Sequence, residues 1–129
     1  MEFKWLTREM VLAIYAEAIV NFGGLPGVRD AALLDSALDK PKNPLAYGEK
    51  PSLFDLTAAL CVGIVKNHPF LDGNKRTGLL AARAFLFLNG QVFEPTEVDE
   101  VNMMVGVADG TVDAVMLASW LASCSTTRA

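Results

Sequence analysis

The hydrophobic positions at the start of the chain follow a helical period. Thr7 is the predicted N-cap, and the apolar residues after it recur at the i, i+3, i+4 and i+7 spacing that places them on one helix face. These residues are Val11, Ile14, Tyr15, Ala18, Ile19 and Phe22. Gly23 and Gly24 end the helix, because glycine readily adopts the left-handed conformation that follows many helix C-termini.

A second, shorter helix is predicted to begin after an Asp30 cap and to run to about Lys40, where Pro41 stops it. Its inward-facing residues are Leu33, Leu34, Ala37 and Leu38. The stretch from Lys42 to Pro51 is rich in proline and also holds a glycine, so the sequence predicts a loop or a small hairpin there and no helix.

The two most apolar segments of the chain predict two central helices. One begins after Ser52 and runs to about Asn67, and the other runs from about Lys75 to Asn89, where Gly90 terminates it. Both are apolar nearly all round, which is typical of helices buried at the centre of a domain. The loop that contains His68 joins them and is therefore expected at the rim of the core.

The last third of the chain predicts two more helices and a frayed end. After an extended link over residues 91–95, Thr96 begins a helix whose predicted inner face is Val98, Val101, Val105 and Ala108. Gly110 ends it, and Thr111 is the predicted cap of a final helix with Val112, Val115, Met116, Ser119 and Trp120 on one side. Residues 123–129 are predicted to fray. The fold class is therefore all-α, with about six helices in one compact domain over residues 1–129.

Composition and charge narrow the function classes. The chain is 52% hydrophobic and 20% charged, which indicates a globular protein, and its net charge of −4 argues against a broad nucleic-acid surface.

Cys61 and Cys124 do not make a disulfide framework, and Cys61 lies in an apolar run where a buried thiol is expected. The start of the chain has no apolar signal-peptide core, and the apolar runs of about ten residues are too short to span a bilayer. A cytoplasmic location follows as the expectation.

The loop and helix start from His68 to Arg76 carry the candidate chemistry. A helix N-terminus presents unpaired N–H groups and a partial positive charge, which favour a phosphate. Gly73 lets the backbone approach a ligand, and Lys75 and Arg76 add positive charge at the helix end where cations are intrinsically disfavoured. Asp72 suits Mg²⁺, and His68 is the group whose ordinary pKa suits proton abstraction near neutral pH. Together these residues suggest transfer of part of a nucleotide to a hydroxyl.

Each of these residues also has a simpler explanation. A single histidine is more often a capping or packing residue than a base, and Lys75 with Arg76 could be a solvated charged pair. Phe70 is predicted to anchor the loop in the core. Other chemistries are less well supported, because one histidine cannot make a His-rich zinc site and a Cys61–His68 dyad would need an exposed thiol. The glycine-rich phosphate loop with its Lys-Ser/Thr ending is absent.

The run His68-Pro-Phe-Leu-Asp-Gly-Asn74 resembles the HxFx(D/E)GN motif of the Fic/Doc family, and Lys75 with Arg76 is closest to the death-on-curing, or Doc, branch. The resemblance extends to Phe22-Gly-Gly-Leu-Pro-Gly27, to Asn-Lys-Arg-Thr77, to Phe85-Leu-Phe-Leu-Asn-Gly90 and to the length of the chain. The motif is highly specific, far more so than an isolated glycine pattern.

This resemblance implies the small helical Fic fold, with Asn43 to Pro51 in the place of the flap that positions the target peptide. It implies that His68 deprotonates the target hydroxyl and that Asp72 holds Mg²⁺. The implied cofactor-binding residues are Phe70, Gly73, Asn74, Lys75 and Arg76, and the cofactor is ATP.

Fic enzymes that transfer AMP carry a glycine after the motif asparagine and a second arginine three residues beyond the first. Lys75 and Leu79 occupy those positions here. The Doc branch shares both departures and transfers the γ-phosphate of ATP to a threonine of elongation factor Tu, which stops translation. The resemblance therefore implies a protein threonine kinase, the toxin of a type II toxin–antitoxin pair, with a Phd-type antitoxin as partner and with no direct nucleic-acid or membrane binding. AMP transfer and a catalytically inactive binding module are the alternatives.

Overall fold

The computed structural model describes residues 2–46 and 50–129, with only the backbone described for Pro44 and Ala46. Within these residues the helices are α1 (Arg8–Phe22), α2 (Ala31–Asp39), the single turn α3 (Asn43–Ala46), α4 (Leu53–Asn67), α5 (Asn74–Leu88), α6 (Glu97–Asp109) and α7 (Ala114–Ser123). A 3₁₀ turn, Lys40–Lys42, precedes α3, and β1 (Gln91–Phe93) pairs with β2 (Ser125–Thr127). The all-α prediction is confirmed: six of these helices have nine or more residues.

Helix α4 is at the centre of the packing. It contacts α2 on one side, α5 along its length, and α6 and α7 on the other side. Gly78 of α5 permits a close approach of the two helices, since a Cβ there would lie 2.8 Å from Cγ2 of Val65 on α4. Two buried clusters result, one toward α1 and α2 and one toward α6 and α7, and α4 and α5 contribute to both.

The first half of the fold largely follows the predicted pattern. Thr7, Asp30 and Ser52 each accept a backbone N–H in the first turn of their helices, as predicted for N-caps. Phe22 is the exception in the α1 stripe, because its side chain is 60% exposed at the end of the helix. The prediction of no helix from Lys42 onward is wrong over Asn43–Ala46, where Pro44 lies in the first helical turn and needs no backbone N–H partner. Residues 47–49 of the predicted flap lie outside the described residues.

The predicted inner faces of α6 and α7 are wrong. Val98, Val101 and Val105 are exposed, whereas the buried residues of α6 are Met104, Gly106 and Val107. On α7 the buried residues are Leu117, Ala118 and Leu121, and the cap is Asp113, whose side chain accepts the N–H of Met116 at 2.8 Å. Both helices are apolar on more than one side, so spacing alone did not identify the face that packs on α4.

The predicted frayed end is also wrong. Ser125–Thr127 forms an antiparallel pair with Gln91–Phe93, in which Val92 lies opposite Thr126. The N–H of Arg128 donates to the carbonyl of Gly90 at 2.8 Å, which extends the pairing by one residue. The polar sequence of β2 does not predict a strand. It becomes one because it pairs with β1. No helix in the described part of the chain is long and apolar enough to cross a membrane.

Candidate active site

His68 terminates α4 in a left-handed conformation, with φ 55° and ψ 52°. It is the one non-glycine residue with a positive φ among the described residues. Such a conformation costs about 1–3 kcal/mol and persists where the surrounding structure imposes it. The His68 N–H closes the last turn of α4 by donating to the carbonyl of Ile64 at 3.2 Å, and the residue is exposed. The helix end thus directs the chain and the imidazole out of the core.

The segment between α1 and α2 braces the loop after His68. Val28 and Phe70 form an isolated antiparallel bridge, in which Leu71 N–H donates to Gly27 O at 2.9 Å and Arg29 N–H donates to Pro69 O at 2.7 Å. The Tyr15 hydroxyl accepts the N–H of Gly27 at 2.6 Å and so fixes the bracing segment to α1. The loop therefore depends on residues about forty positions away in the sequence.

Phe70 and Asn74 hold the loop from inside. Phe70 is fully buried and stacks on Tyr15 with ring centroids 3.9 Å apart, which confirms its predicted role as an anchor. The Asn74 side chain accepts the N–H of Phe70 at 3.1 Å and donates to the carbonyl of Phe70 at 3.0 Å. The implied cofactor contact of Phe70 is not supported, because its buried ring does not line the groove described below. Asn74 reaches that groove, but its amide is already engaged by the loop.

Asp72 lies on the exposed side of the loop. Its Oδ2 accepts the N–H of Leu25 at 3.1 Å, and its Oδ1 accepts the N–H of Gly73 at 2.9 Å. Each carboxylate oxygen retains a free lone pair, so the group can still supply one ligand to a hard cation. Gly24 is close by: a Cβ on this residue, whose φ is +116°, would lie 3.0 Å from Oδ2 of Asp72. A side chain at that position would displace the carboxylate.

The N-terminus of α5 is unlike those of the other long helices. Side chains of Thr7, Asp30, Ser52, Thr96 and Asp113 cap five helices, whereas Gly73 begins α5 in a left-handed conformation without a side-chain cap. Lys75 and Arg76 occupy this first turn and form no ion pair within the described residues. Free N–H groups and two cations at one helix start are an arrangement suited to binding an anion.

Arg76 is the more buried of the two cations. Its guanidinium lies over the ring of Phe22, 4.0 Å from the centroid, in cation–π geometry. Lys75 is exposed, whereas Arg76 is half-buried. The exposure of Phe22, which the α1 stripe did not predict, is thus connected to the site, because its ring is the platform on which Arg76 lies.

A groove of about 670 Å³ connects these groups, a volume typical of small-molecule sites. His68, Asp72, Gly73, Lys75 and Arg76 line one side, which brings together most of the residues predicted from the sequence. Helix α6 forms the opposite wall through Val101, Val105 and Ala108, which are among the residues wrongly predicted to face the core. An ion pair between Arg83 and Glu100, 2.6 Å long, joins that wall to α5.

Leu79 lies one turn beyond Arg76 and is only 3% exposed. Its apolar side chain lines the groove. The α5 side of the groove therefore has cationic side chains in its first turn only.

Thiol and multi-ligand metal chemistry are not supported by the described residues. Cys61 is buried, as predicted. Burial raises the pKa of its thiol to about 12, so this cysteine stays protonated and inert. No group of three or more His, Cys, Asp and Glu side chains lies together in residues 2–46 and 50–129. An exposed imidazole beside an anion site and one carboxylate is an arrangement for general-base transfer of a phosphate-containing group.

Reasoning from the sequence missed the residues that support the site. The hydrophobic pattern places Tyr15 in the core stripe of α1, and Gly24 and Gly27 stand out only as part of the Phe22–Gly27 run. A dense glycine–proline run between helices was the available signal that the backbone makes a close approach there. Arg29 gave no signal, because an exposed cation beside a helix start is common.

The His68 loop lies within a region of the chain that matches a known protein family. The model of the Fic/DOC family matches residues 5–86, which include α1 to α4, the His68 loop and most of α5. Protein kinase doc of Escherichia phage P1 is 33% identical over 119 residues, covering 92% of this chain and 93% of that protein. Toxin Doc of Mycolicibacterium smegmatis (strain ATCC 700084 / mc(2)155) is 40% identical over 123 residues, covering 92% of each chain. The chain belongs to the Fic/Doc family.

Proposed function

We propose that this protein is the toxin of a type II toxin–antitoxin pair and that it transfers the γ-phosphate of ATP to a threonine of elongation factor Tu. One relative is named a protein kinase and another a toxin, and both are similar over nearly the whole chain. The observation that carries the proposal is the shared groove, in which His68 lies with the uncapped start of α5 and its two cations.

His68 is proposed to accept the proton of the threonine hydroxyl as its oxygen forms a bond to the γ-phosphorus. The bond from that phosphorus to the bridging oxygen breaks, and ADP leaves. The backbone N–H groups at the start of α5, with Lys75 and Arg76, would bind the phosphate oxygens and balance their charge. Asp72 would supply one carboxylate ligand to Mg²⁺, which neutralises phosphate charge when it is bound.

Leu79 favours phosphate transfer over AMP transfer. An enzyme that transfers AMP places the α-phosphate at the base and must hold two further phosphates as the leaving group. In this chain the turn after Arg76 offers a buried apolar side chain where a second phosphate clamp would be needed. The first turn of α5, with Lys75 and Arg76, can hold one phosphate group. This suits a reaction in which the terminal phosphate of ATP binds there and is transferred.

The partners follow from the same proposal. A Phd-type antitoxin is proposed to bind and silence the toxin, and any contact with DNA is assigned to that antitoxin because this chain carries a net charge of −4. Elongation factor Tu is cytoplasmic, so we propose the cytoplasm as the site of action.

The deciding experiment is intact-mass measurement of elongation factor Tu after incubation with this protein, ATP and Mg²⁺. We expect a gain of one phosphoryl group on a threonine. A gain of one adenylyl group would instead establish AMP transfer, and an unmodified target together with growth arrest would indicate a binding module.

The matched variant is His68→Ala, which removes an exposed side chain and should leave the fold intact. A general base commonly contributes about 10²–10⁴-fold, so we expect a rate loss in that range. Arg76→Ala should weaken ATP binding, whereas Arg8→Ala should not, because Arg8 pairs with Asp35 away from the groove. Equal ATP affinity in both arginine variants would show that Arg76 does not bind the phosphates.

A further inference from the structure

We propose that Arg29 is a positioning residue that holds the imidazole of His68 at the groove. The inference rests on the proposed role of His68 as the base and concerns how that base is aimed. Arg29 does not line the groove, so it acts on the reaction through His68 and not through substrate.

Arg29 contacts three consecutive carbonyls at the end of α4. Its Nε donates to His68 O at 2.7 Å, its Nη2 donates to Asn67 O at 2.9 Å, and its backbone N–H donates to Pro69 O at 2.7 Å. The planar guanidinium presents its donors in a fixed arrangement, so two side-chain bonds fix the orientation of two adjacent peptide groups. These peptide groups flank the left-handed His68 residue.

The backbone of His68 is the main determinant of where its ring points. Within the described residues the imidazole makes no side-chain hydrogen bond, and the residue is exposed. The direction of a side chain depends on φ and ψ, and a left-handed non-glycine residue relaxes toward other conformations when its restraints are removed. A cation at a helix C-terminus also interacts favourably with the unpaired carbonyls. Arg29 supplies both the restraint and the charge.

The loop keeps its other supports when the Arg29 side chain is removed. Pro69 O still accepts the backbone N–H groups of residue 29 and of Asp30, and Phe70 stays anchored on Tyr15. Truncation should therefore leave the fold and the anion site in place while freeing the His68 peptide. This separation makes the proposal testable.

The chain contains a single histidine, so the imidazole of His68 gives one unambiguous signal in a ¹H–¹³C spectrum of histidine-labelled protein. We expect Arg29→Ala to shift this signal and to increase the mobility of the ring, and Arg29→Lys to do so less. Arg8→Ala is the control, because it removes another exposed arginine with two side-chain contacts outside the groove. An imidazole signal in Arg29→Ala identical to that of the wild type would overturn the proposal.

Kinetics supply the second readout. We expect Arg29→Ala to lower kcat by about 10–100-fold with an unchanged KM for ATP, since misplacement of a catalytic group by about 1 Å can cost about 100-fold. Arg29→Lys should recover part of that loss, because its ammonium can donate to one of the two carbonyls. A raised KM with unchanged kcat would contradict a positioning role. If the wild-type protein transfers no phosphate, the proposed function fails, whereas the imidazole spectra still decide whether Arg29 orders the ring.

Discussion

The α4–α5 junction and the α6–α7 junction both connect helices that pack in the interior, and both contain residues with positive φ. At the first junction several of the stabilising contacts are long-range: Leu25 donates to Asp72 across 47 positions, and Arg29 donates to His68 across 39. At the second junction they are mostly local. The Thr111 hydroxyl donates to Asp109 two positions away, and Asp113 accepts from Met116 three positions away.

This difference shows why one junction can serve as a catalytic site. A turn held by its neighbours in sequence forms with its own helices, whatever the rest of the chain does. A loop held by a distant segment acquires its geometry only when α1, α2 and α4 have come together, and it can then hold a strained residue such as His68. The geometry of the proposed catalytic site is thus a product of the whole fold.

The largest expected effect is on the stability of the first junction. Asn74→Ala removes the partner of both the N–H and the carbonyl of buried Phe70. Leaving two buried backbone groups unsatisfied should cost about 2–5 kcal/mol of unfolding free energy, measured by urea denaturation. Asp113→Ala at the second junction removes a helix cap and should cost about 0.5–2 kcal/mol. Equal losses in the two variants would show that the Asn74 amide contributes no more to stability than an ordinary helix cap.

A pair of glycine variants separates backbone strain from effects on the site. Gly24→Ala and Gly110→Ala each place a side chain at positive φ, +116° and +87°, and each should cost about 1–3 kcal/mol of stability. Only the first places a Cβ 3.0 Å from the Asp72 carboxylate. Phosphate-transfer assays, run under conditions in which both variants are folded, should therefore show a lower rate for Gly24→Ala and the wild-type rate for Gly110→Ala. A similar loss in both would indicate that general destabilisation is the cause.

Tyr15→Phe tests the hydrogen bonding between α1 and the segment that braces the His68 loop. The substitution keeps the ring that stacks on Phe70 but removes the hydroxyl, which accepts the N–H of Gly27 at 2.6 Å and makes a longer contact, 3.3 Å, to its carbonyl. We expect a loss of about 1 kcal/mol in unfolding free energy, the usual contribution of one hydrogen bond, because the longer contact adds little. Thermal unfolding of the two proteins side by side provides the measurement, and an unchanged midpoint would show that Gly27 finds another partner.

The smallest effect concerns the pH response of the second junction. Hydrogen bonds from the hydroxyl and N–H of Thr111 lower the pKa of Asp109 below its ordinary value of 3.8. A lowered folded-state pKa means that the stabilisation is present above pH 3.8 and is lost as the pH falls through the folded value. Asp109→Asn should therefore unfold at a slightly lower temperature than the wild type near neutral pH. This difference in unfolding temperature should disappear well below pH 3.8. A gap that is independent of pH would assign the difference to causes other than ionisation.

The sequence predicted the central helices because their composition leaves few alternatives. Residues 53–65 and 79–88 are nearly all apolar, and Ser52 and Gly90 mark one end of each helix. In α6 and α7 the same reasoning failed, because valine and methionine lie on several faces. Packing on α4 selected Met104, Val107 and Leu117 for the core and left Val101 and Val105 at the groove.

The sequence by itself determined the all-α class, the caps of the first helices and the chemistry concentrated between His68 and Arg76, because these depend on local spacing and residue type. The tertiary structure decided which face of α6 is buried, that residues 125–127 pair with β1, and how His68 is held. Those outcomes depend on contacts between segments far apart in the chain. Arg29 at the end of α4, Tyr15 at Gly27 and Phe22 under Arg76 are contacts of that kind, and no local pattern encodes them.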